Sequence, residues 1–415
     1  MSCSMIKYDD VRKMHIELSS KCNASCPGCP RNVSGGYTLP WLDTNEWTIQ
    51  QFQDTFDQEF LGKLNLVLMC GNFGDPGTCI DLFEIVKYIK ESNSNCAVRI
   101  HTNGGMRSPK FWGKLAGIMN PHKDMTIWSI DGLEDTNHIY RKKVKWNKLI
   151  ANVEAYIAAG GPSTWEYLVF GHNQHQVQEA KKLSEKMGFV NFFYKKAFGF
   201  TEEKKGMGLD GMLSLDDVGD IEYFIPAPDD NWLNSTSLEQ AKIKGSTVAK
   251  RHELSKEVFI KHFKYNEGNL EKDTQNGAMD WLDSARNIDC MHIREREIYV
   301  DALGGVHPCC FLGHVSQNAD GIINMQYYQW LKQNVGFDNI NILKHGLRGV
   351  LDNTEYFEKI RATWDIPQHK DGRIAQCTKH CQTKNNPIDS LYESTRHQQN
   401  LRKKQISDNG YQTSD

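Results

Sequence analysis

Residues 16–32 read IELSSKCNASCPGCPRN, an apolar run followed at once by three closely spaced cysteines. The run belongs to a predicted strand, Met14–Leu18, which places Cys22, Cys26 and Cys29 in the loop directly after that strand. Thiolates at this C-x3-C-x2-C spacing can surround one cuboidal cluster, whose irons each need a ligand. Three ligands for a four-iron cluster leave one iron open, as catalytic metal sites keep an open position. A zinc site with its fourth ligand elsewhere in the chain is the alternative.

Beyond this stretch, short β-rich runs alternate with helical patterns through residue 200. The strand candidates are rich in β-branched and aromatic residues, and they are Met14–Leu18, Leu64–Met69, Ala97–His101, Met125–Ile130, Glu166–Phe170 and Val190–Tyr194. Apolar residues at helical spacing lie between them, in the sets Ile80, Phe83, Val86, Ile89 and Leu149, Val153, Tyr156, Ile157. A further helix is predicted over 174–187, ending at Gly188.

Alternation of strand and helix indicates an α/β fold with parallel strands and right-handed crossovers. Six such units fit before residue 200, whereas a full barrel of eight usually needs about 250 residues. We therefore predict a partial (β/α)6 TIM-type barrel that is laterally open, with its active site at the carboxyl ends of the strands.

The bulk composition narrows the function classes. The chain has 415 residues, a formal net charge of −3 and no apolar run near the roughly 20 residues that span a bilayer. We expect neither a nucleic-acid partner nor a membrane. The N-terminus lacks a secretory signal pattern, so a cytoplasmic protein is expected. Twelve cysteines in a reducing compartment favour metal binding over disulfides.

A second group of cysteines occupies the last third of the chain, at Cys290, Cys309, Cys310, Cys377 and Cys381. A hairpin is predicted here, REIYVDAL followed by Gly304-Gly305 and VHPCCFL. Four cysteines saturate a cluster, and structural zinc is again the alternative. Because successive strand residues face opposite sides, Cys309 and Cys310 are not expected to bind the same metal.

These features predict four regions along the chain: the barrel over 1–200, a linker with some helix over 201–289, a smaller C-terminal α+β auxiliary domain over 290–387 and a polar tail over 388–415.

The cysteine triad in its place after the first strand resembles that of the radical S-adenosylmethionine superfamily. The resemblance implies a [4Fe–4S] cluster on Cys22, Cys26 and Cys29, whose open iron chelates the methionine moiety of S-adenosylmethionine. It also implies cofactor contacts from residues at the ends of the later strands, namely Gly71, Gly74, Asp75, Asn103, Ser129, Asp131, Arg141 and Asn173. Asp75 stands where the family more often has glutamate.

The C-terminal cysteines resemble the SPASM and twitch extensions of the same superfamily. The resemblance implies an auxiliary [4Fe–4S] cluster on Cys290, Cys309, Cys377 and Cys381, with Cys309 preferred for its spacing from Gly304. The number of cysteines favours the one-cluster twitch form.

The resemblance further implies reductive cleavage of S-adenosylmethionine to a 5′-deoxyadenosyl radical. That radical would abstract hydrogen in an oxidation, dehydrogenation or related modification of a small-molecule or peptide substrate. An electron donor such as flavodoxin or ferredoxin would be needed. The sequence shows no peptide-recognition domain before the barrel, which favours a small or untethered substrate. A non-redox zinc-binding scaffold that uses the same cysteines is the competing class.

Overall fold

The computed structural model describes residues 6–197, 211–229, 288–315 and 322–381. Its main feature is an eight-stranded sheet in the order β10-β9-β1-β2-β3-β4-β5-β6. These strands are β1 (Lys13–Ile16), β2 (Leu66–Met69), β3 (Ala97–Thr102), β4 (Met125–Ser129), β5 (Ser163–Val169), β6 (Asn191–Lys196), β9 (Glu297–Val300) and β10 (Val306–His307). A separate hairpin contains β7 (Gly211–Leu215) and β8 (Ile221–Pro226).

Helices follow the strands of the barrel and fill the C-terminal region. They are α1 (Ile49–Thr55), α2 (Gln58–Gly62), α3 (Leu82–Ser92), α4 (Pro109–Ala116), α5 (Asn137–Tyr140), α6 (Trp146–Ala158), α7 (Val177–Met187), α8 (Met291–Arg294), α9 (Cys310–Val315), α10 (Ile322–Asn334), α11 (Ile342–Asn353), α12 (Tyr356–Ala362) and α13 (Ala375–Cys381). In the described ranges, no helix combines the length and the hydrophobicity needed to cross a membrane.

The sheet is parallel from β9 through β6, and only β10 runs antiparallel to its neighbour. Its two edges, β10 and β6, are not paired with each other, so the sheet is open. The predicted α/β class, the six parallel barrel strands and the open side are confirmed. All six strands lie within three residues of their predicted ends, and Gly188 ends α7 in the left-handed conformation, as predicted.

The two faces of the sheet differ in chemistry. Trp128 of β4 packs on Tyr156 of α6, with ring centroids 5.5 Å apart, so its face is covered by helices. Because side chains alternate along a strand, Ile127 and its cross-strand neighbour His101 lie on the opposite, concave face. Concave-face residues of β3 are partly exposed while the alternating residues are buried. The concave face is therefore accessible rather than closed by packing.

The prediction that Ile80 belongs to the buried face of a helix is wrong. Ile80 fits the helical spacing of the α3 face, but it precedes the helix and is 69% exposed. Leu82, Ile85, Val86 and Ile89 form the buried face instead. The helix α3 begins only after Asp81, so Ile80 keeps the helical spacing but lies outside the helix.

The region predicted as a linker with some helix contains the β7–β8 hairpin in its described part, 211–229. Most of that region, and the predicted polar tail, lie outside the described residues. The hairpin packs beside the cysteine loop: the backbone N–H of Leu215 donates to the Ser34 carbonyl at 2.8 Å. Tyr223 donates its hydroxyl hydrogen to the Ile139 carbonyl at 2.7 Å.

The predicted C-terminal hairpin is present as β9 and β10, and it joins the barrel sheet directly. Its second strand is shorter than predicted, because β10 ends at His307 and Cys310 begins α9 instead of lying in the strand. β9 pairs in parallel with β1, with Lys13 opposite Glu297 and Ile16 opposite Val300. The auxiliary cysteines are thereby placed next to the strand that precedes the N-terminal triad.

Two glycines allow the loop after β2 to approach the loop after β1. A Cβ on Gly74 would lie 1.7 Å from the Ser19 carbonyl oxygen, and one on Gly71 would lie 2.5 Å from the Gly74 carbonyl oxygen and 2.6 Å from a carboxylate oxygen of Glu17. These distances are shorter than any ordinary Cβ contact, and backbone atoms cannot move aside as a flexible side chain can. Only glycine therefore fits at these two positions.

Gly74→Ala is expected to destabilise the fold, because the added methyl group must push the two loops apart. We expect urea unfolding to give a free energy of unfolding lower by about 1–3 kcal/mol or more. Gly62→Ala in α2 is the matched control, since nothing lies within 4 Å of its Cβ position. Equal stability of the two variants would contradict this account of the loop contact.

Candidate active site

The three N-terminal thiols share the loop that follows β1. Cys26 is buried, Cys22 and Cys29 are partly exposed, and the Cys29 N–H donates to the Cys26 carbonyl at 3.0 Å. Burial raises the pKa of all three thiols, that of Cys29 to about 12. Negative charge on Cys26 raises the pKa of Cys22 and of Cys29 further. The thiols are therefore protonated unless a metal or cluster replaces the protons.

Hydrogen-bond donors from two other loops approach these sulfur atoms. Arg141 places Nη1 3.8 Å from the Cys26 sulfur, and Asn103 places Nδ2 3.5 Å from the Cys22 sulfur. Such donors stabilise negative charge on sulfur, so the surroundings fit an anionic iron–sulfur cluster. Within the described residues, no group of three or more His, Cys, Asp or Glu side chains is arranged to hold a single metal ion. A cuboidal cluster needs a wider arrangement, because each ligand binds a different iron.

Asp75 is a buried connector between strand ends. Its carboxylate accepts from the Asn103 and Gly77 backbone N–H groups at 2.7 and 2.8 Å, and from the Thr102 hydroxyl at 2.8 Å. A carboxylate offers about four acceptor positions, so one more donor can be accommodated. Asp75 therefore has a structural role, which is to hold Asn103 in place, and the predicted contact to S-adenosylmethionine would be added to that role.

Asp131, Arg141 and Asn173 form a second connected group. Arg141 Nε donates to the fully buried Asp131 carboxylate, whose other oxygen accepts the Leu168 N–H at 2.6 Å. The Asn173 amide donates to the Asp131 and Leu168 carbonyls and accepts from the Phe170 N–H. Its hydrogen-bonding capacity is thus used within the protein. Asn173 shapes the loop after β5, and Arg141 reaches from this group to the Cys26 sulfur.

Sequence reasoning did not identify the charged residues on the concave face. Lys195 of β6 donates to the Glu166 carboxylate at 3.0 Å, and the His101 ring lies 4.0 Å from that same carboxylate. Ser129, a predicted cofactor contact, is the neighbour of Glu166 across the sheet. Barrel interiors are ordinarily filled by branched apolar side chains. This polar, partly exposed set therefore makes the concave face a cavity wall suited to a polar ligand.

The four predicted auxiliary cysteines line one cavity. Cys290, Cys309, Cys377 and Cys381 meet at one small cavity, with apolar neighbours that include Ile293 and Leu312. The Cys381 thiol hydrogen-bonds to Cys290, and this contact lowers the pKa of Cys290 to about 6. Thiols contributed by three segments, with Cys377 and Cys381 both in α13, thus meet in an apolar setting. Four thiols around one cavity supply the ligand set of a cluster saturated by four thiolates.

Cys309 lines this cavity, whereas its sequence neighbour Cys310 does not. It interacts electrostatically with Glu297 and Cys70, whereas Cys309 interacts with Cys290 and Cys377. The structure thus separates the two adjacent cysteines, with Cys309 on the side of the cavity.

A buried acid that the sequence did not single out connects the two cysteine groups. Glu17 accepts from the Phe73 and Gly74 N–H groups at 2.7 and 2.8 Å and from the Tyr299 hydroxyl at 2.9 Å. Asn72 donates to the Tyr299 oxygen at 3.0 Å and to the Cys310 carbonyl at 2.9 Å. A glutamate inside the apolar run IEL was the available signal. Its partners could not be read from the sequence.

Comparison with known proteins gives no match to a family model or to a curated protein. Among solved structures, Streptococcus suis SuiB bound to S-adenosylmethionine superposes with a TM-score of 0.41 at 12% identity, over 73% of this chain and 61% of SuiB. Native anSMEcpe with bound AdoMet gives 0.44 at 15% identity, over 84% and 83% of the two chains. BtrN in complex with AdoMet and 2-DOIA gives 0.39 at 13%, over 88% and 92%. Similarity this low carries no argument about activity, which rests on the contacts within this chain.

Glu17→Gln is expected to remove a pH dependence of folding. Burial raises the pKa of Glu17 from 4.5 to about 7, so between these values the folded chain holds a proton that the unfolded chain releases. The stability from this group is complete below pH 4.5 and is lost as the pH rises through about 7. The shift of about 2.5 units (7 minus 4.5) corresponds to about 3 kcal/mol.

Urea unfolding at pH 5 and pH 8 measures this effect. The wild-type protein should lose more stability between the two pH values than Glu17→Gln does. Glu59→Gln, at an exposed position in α2, is the control and should behave as wild type. If Glu17→Gln kept the full wild-type pH slope, the buried acid would not be its source.

Proposed function

We propose that this protein is a radical S-adenosylmethionine enzyme with one [4Fe–4S] cluster on Cys22, Cys26 and Cys29. The observation that carries the proposal is the three-thiol loop at the carboxyl end of an open parallel sheet, with the Arg141 and Asn103 donors beside its sulfur atoms. Three protein ligands leave a fourth iron for the cofactor. Bound there, S-adenosylmethionine would be cleaved reductively to methionine and a 5′-deoxyadenosyl radical that abstracts hydrogen from the substrate.

The protein's own contribution is to position the cofactor and to stabilise its charges. Gly71 and Gly74 allow the backbone of the loop after β2 to approach closely, and Asp75 offers a remaining acceptor to the ammonium group. Ser129 lies at the carboxyl end of β4, where a ribose hydroxyl would lie in this arrangement. Asp131 and Asn173 act as positioning residues that hold Arg141 and the loop after β5.

We propose a second [4Fe–4S] cluster on Cys290, Cys309, Cys377 and Cys381, in the cavity that these residues line. Its place beside β9, the neighbour of β1, supports a role near the substrate or in electron transfer. A low-potential donor such as flavodoxin or ferredoxin would supply electrons to the chain.

The substrate is proposed to be a polar small molecule or peptide that enters the concave face. Glu166, Lys195 and His101 give this wall charged and hydrogen-bonding groups. The reaction is then an oxidation, dehydrogenation or related radical modification of that substrate.

Cys26→Ala is expected to abolish cofactor cleavage, because a two-cysteine loop cannot hold the open cluster. The anaerobically reconstituted enzyme, incubated with S-adenosylmethionine and dithionite, should release 5′-deoxyadenosine, and the variant should release at least a hundred-fold less, as an order-of-magnitude expectation. Cys96→Ala is the control, since Cys96 is buried in the core beside β3. Full release from Cys26→Ala would refute the assignment. Colourless protein with about one or two zinc ions per chain would support the scaffold alternative instead.

Cys309→Ala and Cys310→Ala are expected to differ in iron content. Wild-type protein should bind roughly eight irons as two four-iron clusters. Cys309→Ala should lose about half of this iron, since its thiol lines the auxiliary cavity, while Cys310→Ala should retain it. Iron and sulfide analysis with absorption spectra provides the measurement. Loss of iron from Cys310→Ala alone would reverse the ligand assignment.

A further inference from the structure

Arg373 is a buried cation two residues before α13 begins and four residues before Cys377 in the sequence. Its side chain is only 2% exposed. Within the described part of the chain, its buried Nε and Nη2 atoms have no hydrogen-bond partner. A buried, unpaired charge is strongly destabilising, by several kcal/mol in proteins. Such a guanidinium therefore indicates that an anionic group is bound beside it in the working protein.

The charge of Arg373 acts on one of the auxiliary cysteines, Cys377. Cys377 lines the four-cysteine cavity, and burial raises the pKa of its thiol to about 12. The Trp364 indole N–H and the Arg373 guanidinium both oppose that rise. Arg373 and Trp364 thus act on the same sulfur atom from the protein side.

Trp364 repeats the pattern seen at Arg373. It lines the cavity, and its buried Nε1 has no oxygen or nitrogen partner among the described residues. The Cys290 and Cys381 thiols, by contrast, hydrogen-bond to each other. Trp364 and Arg373 thus both bring donors without an oxygen or nitrogen partner to the region of Cys377.

We propose that Arg373 and Trp364 compensate the negative charge of the auxiliary cluster at Cys377 and raise its reduction potential. This inference rests on the proposed presence of that cluster. A cluster held by four thiolates is anionic, and the one electron that it accepts from an external reductant increases its negative charge. A nearby cation and an N–H donor stabilise the reduced form more than the oxidised form. Arg373 and Trp364 are thus positioning residues that tune the cluster without binding iron.

The test isolates the auxiliary cluster in the full-length chain. Cys22, Cys26 and Cys29 are all replaced by alanine, the protein is reconstituted anaerobically with iron and sulfide, and the cluster is titrated with dithionite while its paramagnetic signal is followed. Arg373→Gln should favour the oxidised form about tenfold, a shift of about 59 mV to lower potential for a one-electron couple. Trp364→Phe should shift the potential in the same direction by less, because it removes a neutral donor.

Arg348→Gln in α11 is the matched control. It removes the same charge from the same region, but Arg348 is exposed and pairs with Asp9 and Asp352. Its potential should equal that of the parent.

The outcomes distinguish the tuning role from the proposed cluster itself. If the triad-free chain binds no iron, the auxiliary cluster is absent and the inference falls with it. If the cluster forms and both Arg373→Gln and Trp364→Phe keep the parental potential, only the tuning role is overturned. Should Arg373→Gln fail to assemble a cluster, the potential of Trp364→Phe decides, and an unchanged value overturns the proposal.

Discussion

The buried carboxylate of Glu17 is the interaction on which the relative placement of both cysteine groups depends. It accepts two backbone N–H groups from the loop after β2 and a hydroxyl from Tyr299 in β9. Without this carboxylate, three donors in the interior would have no acceptor. Each buried donor left without an acceptor destabilises the fold. One side chain directly after β1 thus fixes the glycine-rich loop on one side and the strand leading to Cys309 on the other.

The two cysteine groups receive different electrostatic support from the chain. Beside the N-terminal triad, Arg141 contacts Cys26 but also pairs with the buried Asp131, so much of its charge is already balanced. Beside the auxiliary cavity, Arg373 has no acidic partner among the described residues. An anionic group at Cys377 would therefore experience a nearly uncompensated cation. This contrast would give the two proposed clusters different reduction potentials within one chain.

Local sequence patterns predicted the barrel strands because buried parallel strands are continuous, β-branched runs with clear ends. They did not predict that β9 pairs with β1, since no local feature identifies a neighbour so far away in the chain. Ile80 was misplaced because spacing alone does not say where a helix begins. The cysteines were recognisable by their spacing, whereas Glu17 and Arg373 were not. The function of a single charged residue depends on partners from distant segments, and those become visible only in three dimensions.

The pairing of β1 with β9 also has a consequence for how the protein is made. Lys13 lies opposite Glu297, a separation of 284 residues (297 minus 13). At roughly 5–20 residues per second, the ribosome needs about 15–60 s to produce the second partner after the first. During that interval one edge of β1 has no neighbour, and the adjoining cysteine loop lacks the Tyr299 side of its support. Nascent chains would thus expose these thiols before the sheet is complete.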